Sequence, residues 1–152
     1  VFDFEKFKHI VLFFSEQIHL LSKTKLNKLL FSSDFKFFQE ETVSMTGLAY
    51  RHSHYGPAPK DYELLFMALD ESEDIEWKLL PSTQIEYIEN KTSFNPDLFT
   101  KEELELLSKV LETFKKDNAF IVSENSYEEY TYTETRKKEY IPYSYGDTLK
   151  YL

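Results

Sequence analysis

The spacing of apolar residues near the start of the chain constrains the fold most strongly. From residue 4 to residue 21 they recur at alternating steps of three and four: Phe4, Phe7, Val11, Phe14, Ile18 and Leu21. This spacing places them along one face of an α-helix. Asp3, immediately before the stripe, is a suitable N-cap. The sequence therefore predicts a central amphipathic helix over residues 4–21.

Similar patterns predict further helices over residues 24–38, 60–70 and 100–116. The third of these is expected to bury Leu64, Leu65, Ala68 and Leu69. A capping box formed by Thr100 and Glu103 opens the fourth. A second capping box over residues 126–129 opens a helix to about residue 135, and a short helix is expected over residues 145–151.

A β-hairpin is expected over residues 75–88, with its turn at Pro81 and Ser82. A short strand ends near Tyr50, and the Gly-Pro-Ala-Pro sequence at residues 56–59 predicts a rigid extended elbow before the third helix. We therefore expect a mainly α (α+β) fold in a single domain spanning residues 1–152. It would contain five to six helices and a small antiparallel β-hairpin.

Composition excludes several classes of function. The net charge of −9 over 152 residues argues against direct nucleic acid binding by this domain, since binding a polyanion requires a basic face. A compact basic cluster at residues 136–138 is expected to complement a helix C-terminus. No apolar run approaches the roughly 20 residues that span a membrane. The absence of cysteine excludes disulfides and fits the cytoplasm.

Sequence motifs for catalysis are mostly missing. There is no cysteine nucleophile, and three scattered glycines cannot form a phosphate-binding loop. His52 and His54 would face the same way on a strand and could hold a metal with a carboxylate, although surface or turn histidines are the simpler interpretation. The acidic run at residues 70–74 is expected to be a solvated loop. We expect no cofactor, no metal and no enzymatic activity.

Several short motifs occur in an order that resembles the SocA-like (Panacea) antitoxin domain family. They are Lys-Leu-Asn-Lys-Leu-Leu-Phe at 25–31, Asp-Phe at 34–35, Met-Thr-Gly at 45–47, Tyr-Gly-Pro-Ala-Pro at 55–59, Ser-Tyr-Glu-Glu at 126–129, Thr135, and Ile-Pro-Tyr at 141–143. Together they span nearly the whole chain. The family commonly has His where Tyr127 stands, so any role of that His does not transfer.

The resemblance implies a protein that binds and neutralises a toxin, or an adaptor that delivers the toxin to a protease such as ClpXP. It also implies an upstream helix-turn-helix domain, whose removal would fit a chain that begins at Val1. The alternative is a sensing or dimerisation domain of a helix-turn-helix transcriptional regulator, and either function is compatible with an oligomer. A metal-dependent enzyme using His52 and His54 is the third hypothesis.

Two groups of residues are the candidates for function. Those expected to contact a partner are Tyr55, Gly56, Pro57, Pro59, Tyr62, Tyr127, Glu128 and Tyr130. Those expected to support the structure of the family motifs are Lys25, Asn27, Lys28, Gly47, Ser126 and Glu129. Tyrosine suits an interface because its ring is apolar and its hydroxyl forms hydrogen bonds.

Overall fold

In the described part of the chain two helices come first, and two short hairpins then each precede a further helix. A computed structural model describes residues 1–53, 56–115 and 140–143. In this part of the chain there are four α-helices, two antiparallel two-stranded sheets and one 3₁₀ turn, which confirms the α+β class. The elements are α1 Phe4–Gln17, α2 Lys23–Glu41, β1 Tyr50–Ser53, β2 Gly56–Pro59, α3 Tyr62–Glu71, β3 Ile75–Leu80, β4 Ile85–Asn90, the 3₁₀ turn Pro96–Leu98 and α4 Lys101–Phe114. The predicted helices at 126–135 and 145–151, and the basic cluster at 136–138, lie outside the described residues.

Helix α1 begins where predicted but ends earlier. The Asp3 side chain accepts a hydrogen bond from the Lys6 N–H at 3.1 Å, as expected of an N-cap. The helix ends at Gln17 and not near residue 21, because Ile18 adopts an extended backbone and Leu20 has a φ of 54°. Ile18 and Leu21 remain buried after the chain leaves the helix. The apolar stripe therefore continues beyond the helix that it predicts.

Helix α2 is the most deeply buried helix of the described chain. Leu26, Leu29, Phe31 and Phe35 are completely inaccessible, and the helix packs against β2 and α4. Full burial of each such side chain stabilises the fold by about 1.5–3 kcal/mol. The N-cap is Ser22, whose hydroxyl accepts a hydrogen bond from the Lys25 N–H at 3.2 Å. The helix therefore begins at Lys23, one residue before the predicted start at Thr24.

The segment after α2 differs from the prediction. Tyr50 begins a strand instead of ending one, and β1 pairs with β2 in an antiparallel hairpin with Tyr50 opposite Pro59. The expected elbow at 56–59 is thus the second strand of this hairpin. A two-stranded sheet has a free edge on each strand, so a strand with two prolines is tolerated. All four residues of β2 are buried, against α2.

The second hairpin is found as predicted, with β3 and β4 joined by a turn at residues 81–84. It is attached to the connection between α1 and α2 by the Ile88 N–H, which donates to the Leu21 carbonyl at 3.0 Å. It is also fastened to α3 by Trp77, whose indole N–H donates to the Phe66 carbonyl at 3.0 Å. Helix α3 begins at Tyr62, since Asp61 before it has a φ of 55°.

Helix α4 opens with the predicted capping box, in which Thr100 and Glu103 each accept the other's backbone N–H. Its inward residues Leu107, Val110 and Phe114 are buried. Among the described residues, no helix is both long and apolar enough to span a bilayer.

Candidate functional site

A buried carboxylate on α2 organises the chain between α2 and β1. Asp34 is completely inaccessible. Its Oδ1 accepts hydrogen bonds from the N–H groups of Met45 and Thr46, both at 2.9 Å. Its Oδ2 accepts from the Thr46 hydroxyl at 2.5 Å and the Tyr50 hydroxyl at 2.6 Å. We call Asp34, Met45, Thr46 and Tyr50 the Asp34 hub.

Burial determines the protonation behaviour of the hub. It raises the pKa of the Asp34 carboxyl, and the hydrogen bonds from Thr46, Tyr50 and Met45 offset part of that rise. Burial and the neighbouring carboxyl also raise the pKa of Tyr50 well above its usual value. Both carboxyl oxygens already accept two hydrogen bonds from the protein. The hub is therefore arranged to hold backbone in place.

The segment 140–143 is attached to the same hub. The Ile141 N–H donates to the Tyr50 carbonyl at 2.9 Å, and the Tyr143 hydroxyl donates to the Leu48 carbonyl. The Tyr143 ring stacks on Phe35 with 4.6 Å between the centroids. Burial raises the pKa of Tyr143. The Met-Thr-Gly, Asp-Phe and Ile-Pro-Tyr motifs, far apart in sequence, thus meet at one place.

Gly47 lies beside the hub at a close approach of two backbone segments. Its φ is 82°, and a Cβ added there would lie 2.7 Å from the Val1 carbonyl carbon and 3.0 Å from the Phe2 Cα. The Asp3 N–H donates to the Thr46 carbonyl at 3.0 Å, which holds the N-terminal segment against this turn. Only glycine fits both the conformation and the space.

The residues at the start of the Lys-Leu-Asn-Lys motif lie between α2 and the end of α4. Lys25 is buried, and its Nζ donates to the Lys115 carbonyl at 3.0 Å. Lys28 is also buried, with its Nζ 5.6 Å from the centroid of the Phe114 ring. Two ammonium groups at the carboxyl end of a helix complement its dipole. Asn27 is 7 % exposed, and its Oδ1 accepts no hydrogen bond from the described residues.

The residues expected to contact a partner are not gathered into an exposed surface by the described structure. Gly56, Pro57 and Pro59 are buried in β2. Tyr62 is half-buried, with its ring 5.7 Å from that of Phe66. Tyr55, Tyr127, Glu128 and Tyr130 lie outside the described residues, as do Ser126 and Glu129. Their part in binding stays a prediction.

The metal hypothesis rested on His52 and His54. His52 lies on β1 and is 5 % exposed, so it is a buried histidine and not a surface one. His54 lies outside the described residues. In residues 1–53, 56–115 and 140–143 there is no group of three or more histidine, aspartate or glutamate side chains that could hold a metal ion.

A groove runs between α3, the β3–β4 hairpin and the start of α2. It has a volume of about 370 Å³, and we call it the Trp77 groove. It is lined by Lys23, Glu63, Phe66, Met67, Asp70, Glu71, Trp77 and Glu86. The four carboxylates are exposed, while Phe66 is buried and packs on Trp77 with 5.1 Å between the ring centroids. The groove thus combines an aromatic floor with an acidic rim.

A cation of the chain itself already occupies part of this groove. The Lys23 Nζ lies 5.2 Å from the centroid of the Trp77 ring and 3.0 Å from the Glu86 Oε1. A second cavity of about 250 Å³ adjoins the groove and shares Lys23, Glu63 and Glu86 with it. Asn27 lines this second cavity. Lys23 and Glu86 therefore lie between two adjoining cavities.

Patterns in the sequence did not predict this groove. Leu64 was expected to be buried, yet it is 65 % exposed, and Met67 is 58 % exposed. The acidic run at 70–74 was expected to be a loop, but Asp70 and Glu71 belong to α3 and line the groove. The available signal was that α3 carries apolar residues around more of its circumference than one buried face requires.

The family follows from comparison with protein-family models. Residues 26–132 match the model described as Antitoxin SocA-like, Panacea domain, which is well over half of the chain. The chain belongs to the SocA-like antitoxin family. This confirms the resemblance that the motifs indicated. The matched region contains the Asp34 hub and, apart from Lys23, every residue that lines the Trp77 groove. No curated protein and no solved structure matches the chain.

Proposed function

We propose that the chain is an antitoxin-type interaction domain that binds a partner toxin protein and neutralises it. The family is described as antitoxin-like, and the match spans most of the described structure. The observation that carries the proposal is the exposed apolar face of α3 beside the Trp77 groove. Leu64 and Met67 are three residues apart on the helix, so their side chains are neighbours.

This face has the composition of a docking surface. Adjoining exposed apolar side chains surrounded by charged residues are typical of protein interaction sites. Methionine adapts its shape to a partner, and the half-buried Trp77 beside Met67 is of the residue type most enriched at the energetic centres of interfaces. The net charge of −9 would speed the encounter with a basic partner.

We further propose that neutralisation needs no catalysis by this chain. The completely buried carboxylate, Asp34, accepts hydrogen bonds on both oxygens and so serves the backbone around it. Binding alone can silence a toxin by covering its functional surface. Delivery of the bound toxin to a protease, in the cytoplasm, would achieve the same result by another route.

The test is expression of the adjacent gene's product in cells with and without this chain. We expect that product to arrest growth alone, and co-expression of this chain to restore growth and to form a complex that purifies intact. A toxin level that stays constant on co-expression indicates occlusion, whereas a level that falls only in cells with the protease indicates delivery. If the two proteins form no complex and this chain does not change the effect of the adjacent gene's product on growth, the antitoxin proposal is wrong. The regulator alternative then gains support.

A further inference from the structure

The Trp77 groove has the chemistry of a site for a cationic side chain. We infer that it accepts an arginine side chain of the partner toxin, which displaces Lys23 from the face of Trp77. This inference rests on the proposed function for the identity of the partner. The nature of the bound group follows from the groove itself.

The aromatic face is held in position before any partner binds. The Trp77 indole N–H donates to the Phe66 carbonyl at 3.0 Å, and the two rings pack together at 5.1 Å. Phe66 is itself buried, so the indole is supported from below. A fixed aromatic face attracts a cation without the cost of ordering the ring.

The cation that now lies there is weakly held. The Lys23 side chain is 33 % exposed and that of its ion-pair partner Glu86 is 47 % exposed. Ion pairs this accessible to solvent contribute little net stability. Lys23 therefore shows that the groove accommodates a cation, and a better-fitting cation can replace it.

The groove carries more negative charge than Lys23 can neutralise. Four exposed carboxylates, those of Glu63, Asp70, Glu71 and Glu86, line it with a single ammonium, which leaves a formal excess of three negative charges. A guanidinium is planar, stacks on an indole and donates hydrogen bonds to two carboxylates at once. An ammonium has neither the flat face nor the paired donors. Arginine therefore suits this groove better than lysine.

The surroundings of the groove indicate a protein segment as the source of the arginine. Met67 lines the groove and Leu64 adjoins it, so apolar residues beside the arginine have a surface to cover. The adjoining cavity, with Asn27 in its wall, offers room for the chain that enters. The Asn27 Oδ1 accepts no hydrogen bond from the described residues. Nucleic acid is disfavoured because the rim is acidic.

Trp77 is the single tryptophan of the chain, so its fluorescence reports directly on this groove. The probe is a capped hexapeptide, Gly-Leu-Arg-Leu-Arg-Gly, and its control is the same peptide with citrulline at both arginines. Citrulline keeps the shape and removes the charge. We expect saturable quenching by the arginine peptide, and binding by the citrulline peptide at least tenfold weaker.

Variants of the full chain sharpen the result. The combination Glu63→Gln, Asp70→Asn and Glu71→Gln should weaken the arginine peptide at least tenfold. The matched control, Glu102→Gln with Glu105→Gln and Glu112→Gln on exposed positions of α4, also removes three carboxylates and should change it less than twofold. Lys23→Met should strengthen binding about threefold, because it removes the competing cation. A groove residue with a purely structural role would not produce that gain.

Equal quenching by the two peptides, or equal losses in the groove and α4 variants, would overturn the inference. The same variants are then tested for binding to the adjacent gene's product. If they bind it as the unmodified chain does, the groove is not the toxin's site, while the proposed function stands. If the unmodified chain fails to bind that product, the proposed function itself fails. A concentration-dependent dimer that dissociates in the groove variants would assign the groove to a second copy of the chain and exclude the toxin as its occupant.

Discussion

The Asp34 hub and the Trp77 groove both depend on carboxylates, and they use them in opposite ways. In the hub one inaccessible carboxylate accepts four hydrogen bonds from the chain itself. In the groove four exposed carboxylates line the same hollow as one ammonium, that of Lys23, which pairs with Glu86. A buried charge must be satisfied within the protein, whereas exposed charges stay available to a partner. The full set of hydrogen bonds on Asp34 therefore fits a structural role for the hub, whereas the groove carboxylates that pair with no residue of the described chain are available for the partner proposed above.

The two regions also differ in their relation to the family motifs. Asp34, Thr46 and Gly47 belong to the motifs that carry the resemblance, and Lys25 and Lys28 fix α2 to the end of α4. Trp77, Met67 and Asp70 belong to none of them. The motifs thus identify the scaffold.

Replacing Asp34 should have the largest effect on stability. Asp34→Ala leaves the Met45 and Thr46 N–H groups buried without their acceptor. We expect the free energy of unfolding to fall by about 3 kcal/mol or more, because each buried donor left unpaired costs about 1–3 kcal/mol. Urea unfolding followed by circular dichroism measures it.

The matched change in the groove is Asp70→Ala, which removes the same carboxylate from an exposed position. It should alter the free energy of unfolding by no more than about 0.5 kcal/mol, as is usual for surface substitutions. Similar losses in the two variants would remove the distinction between the hub and the groove.

Gly47→Ala should have the next largest effect. The methyl group meets the Val1 carbonyl, and alanine disfavours a φ of 82°. We expect a loss of about 2 kcal/mol, of which the backbone conformation alone accounts for about 1 kcal/mol. Urea unfolding again provides the measurement.

The two causes can be separated by deleting Val1 and Phe2. In the shortened chain Gly47→Ala should cost only about 1 kcal/mol, because the conformational strain remains while the steric clash is gone. An unchanged cost would show that the close approach to the N-terminal segment contributes nothing.

The sequence was sufficient for features that depend on local chemistry. Apolar spacing predicted the four described helices, the Thr100–Glu103 capping box predicted the start of α4, and the Pro81-Ser82 turn predicted the β3–β4 hairpin. The motif order also led to the correct family. These signals arise from residues close together in sequence, or from a resemblance in their order.

Features that depend on distant contacts were not predictable in the same way. Residues 56–59 form a strand of the β1–β2 hairpin and not the predicted extended elbow. Two prolines argue against a strand unless its outer edge is known to be free, and the sequence does not show that edge. The Asp34 hub joins residues up to 16 positions apart. The Trp77 groove joins Lys23 to Glu86. Neither the hydrogen bonds of Asp34 nor the ion pair of Lys23 with Glu86 leaves a periodic pattern in the sequence.

Charges placed on the exposed face of α3 should affect binding and leave stability unchanged. Leu64→Asp with Met67→Asp should weaken the complex with the adjacent gene's product about tenfold or more, by placing charge in the apolar contact. Isothermal titration calorimetry measures the affinity, and thermal unfolding should show a normal midpoint.

Val43→Asp provides the control, since Val43 is 57 % exposed and lies outside α3 and the groove. It should leave the affinity unchanged within about twofold. If it weakens the complex as much as the α3 substitutions do, the effect comes from added negative charge in general, and the α3 face loses its special role.

The smallest expected effect is a difference in pH dependence between the inaccessible carboxylate of Asp34 and the partly exposed carboxylate of Asp74. The hydrogen bond from Lys8, at 2.6 Å, lowers the pKa of Asp74, so its contribution to stability is present above about pH 4 and is lost as the pH falls through its folded pKa. Burial raises the pKa of Asp34, so its contribution is present below about pH 4 and is lost as the pH rises through its folded pKa.

Unfolding free energies of the unmodified chain, Asp34→Asn and Asp74→Asn, measured from pH 3 to pH 7, test this contrast. The stability difference between the unmodified chain and Asp74→Asn should grow with rising pH, by less than about 1 kcal/mol because the Asp74 side chain is 26 % exposed and stays partly solvated. The difference from Asp34→Asn should shrink over the same range. Slopes of the same sign would mean that the four donors outweigh burial at Asp34. The hub would then hold a stabilised anion, and its carboxylate would differ from those of the groove in accessibility alone.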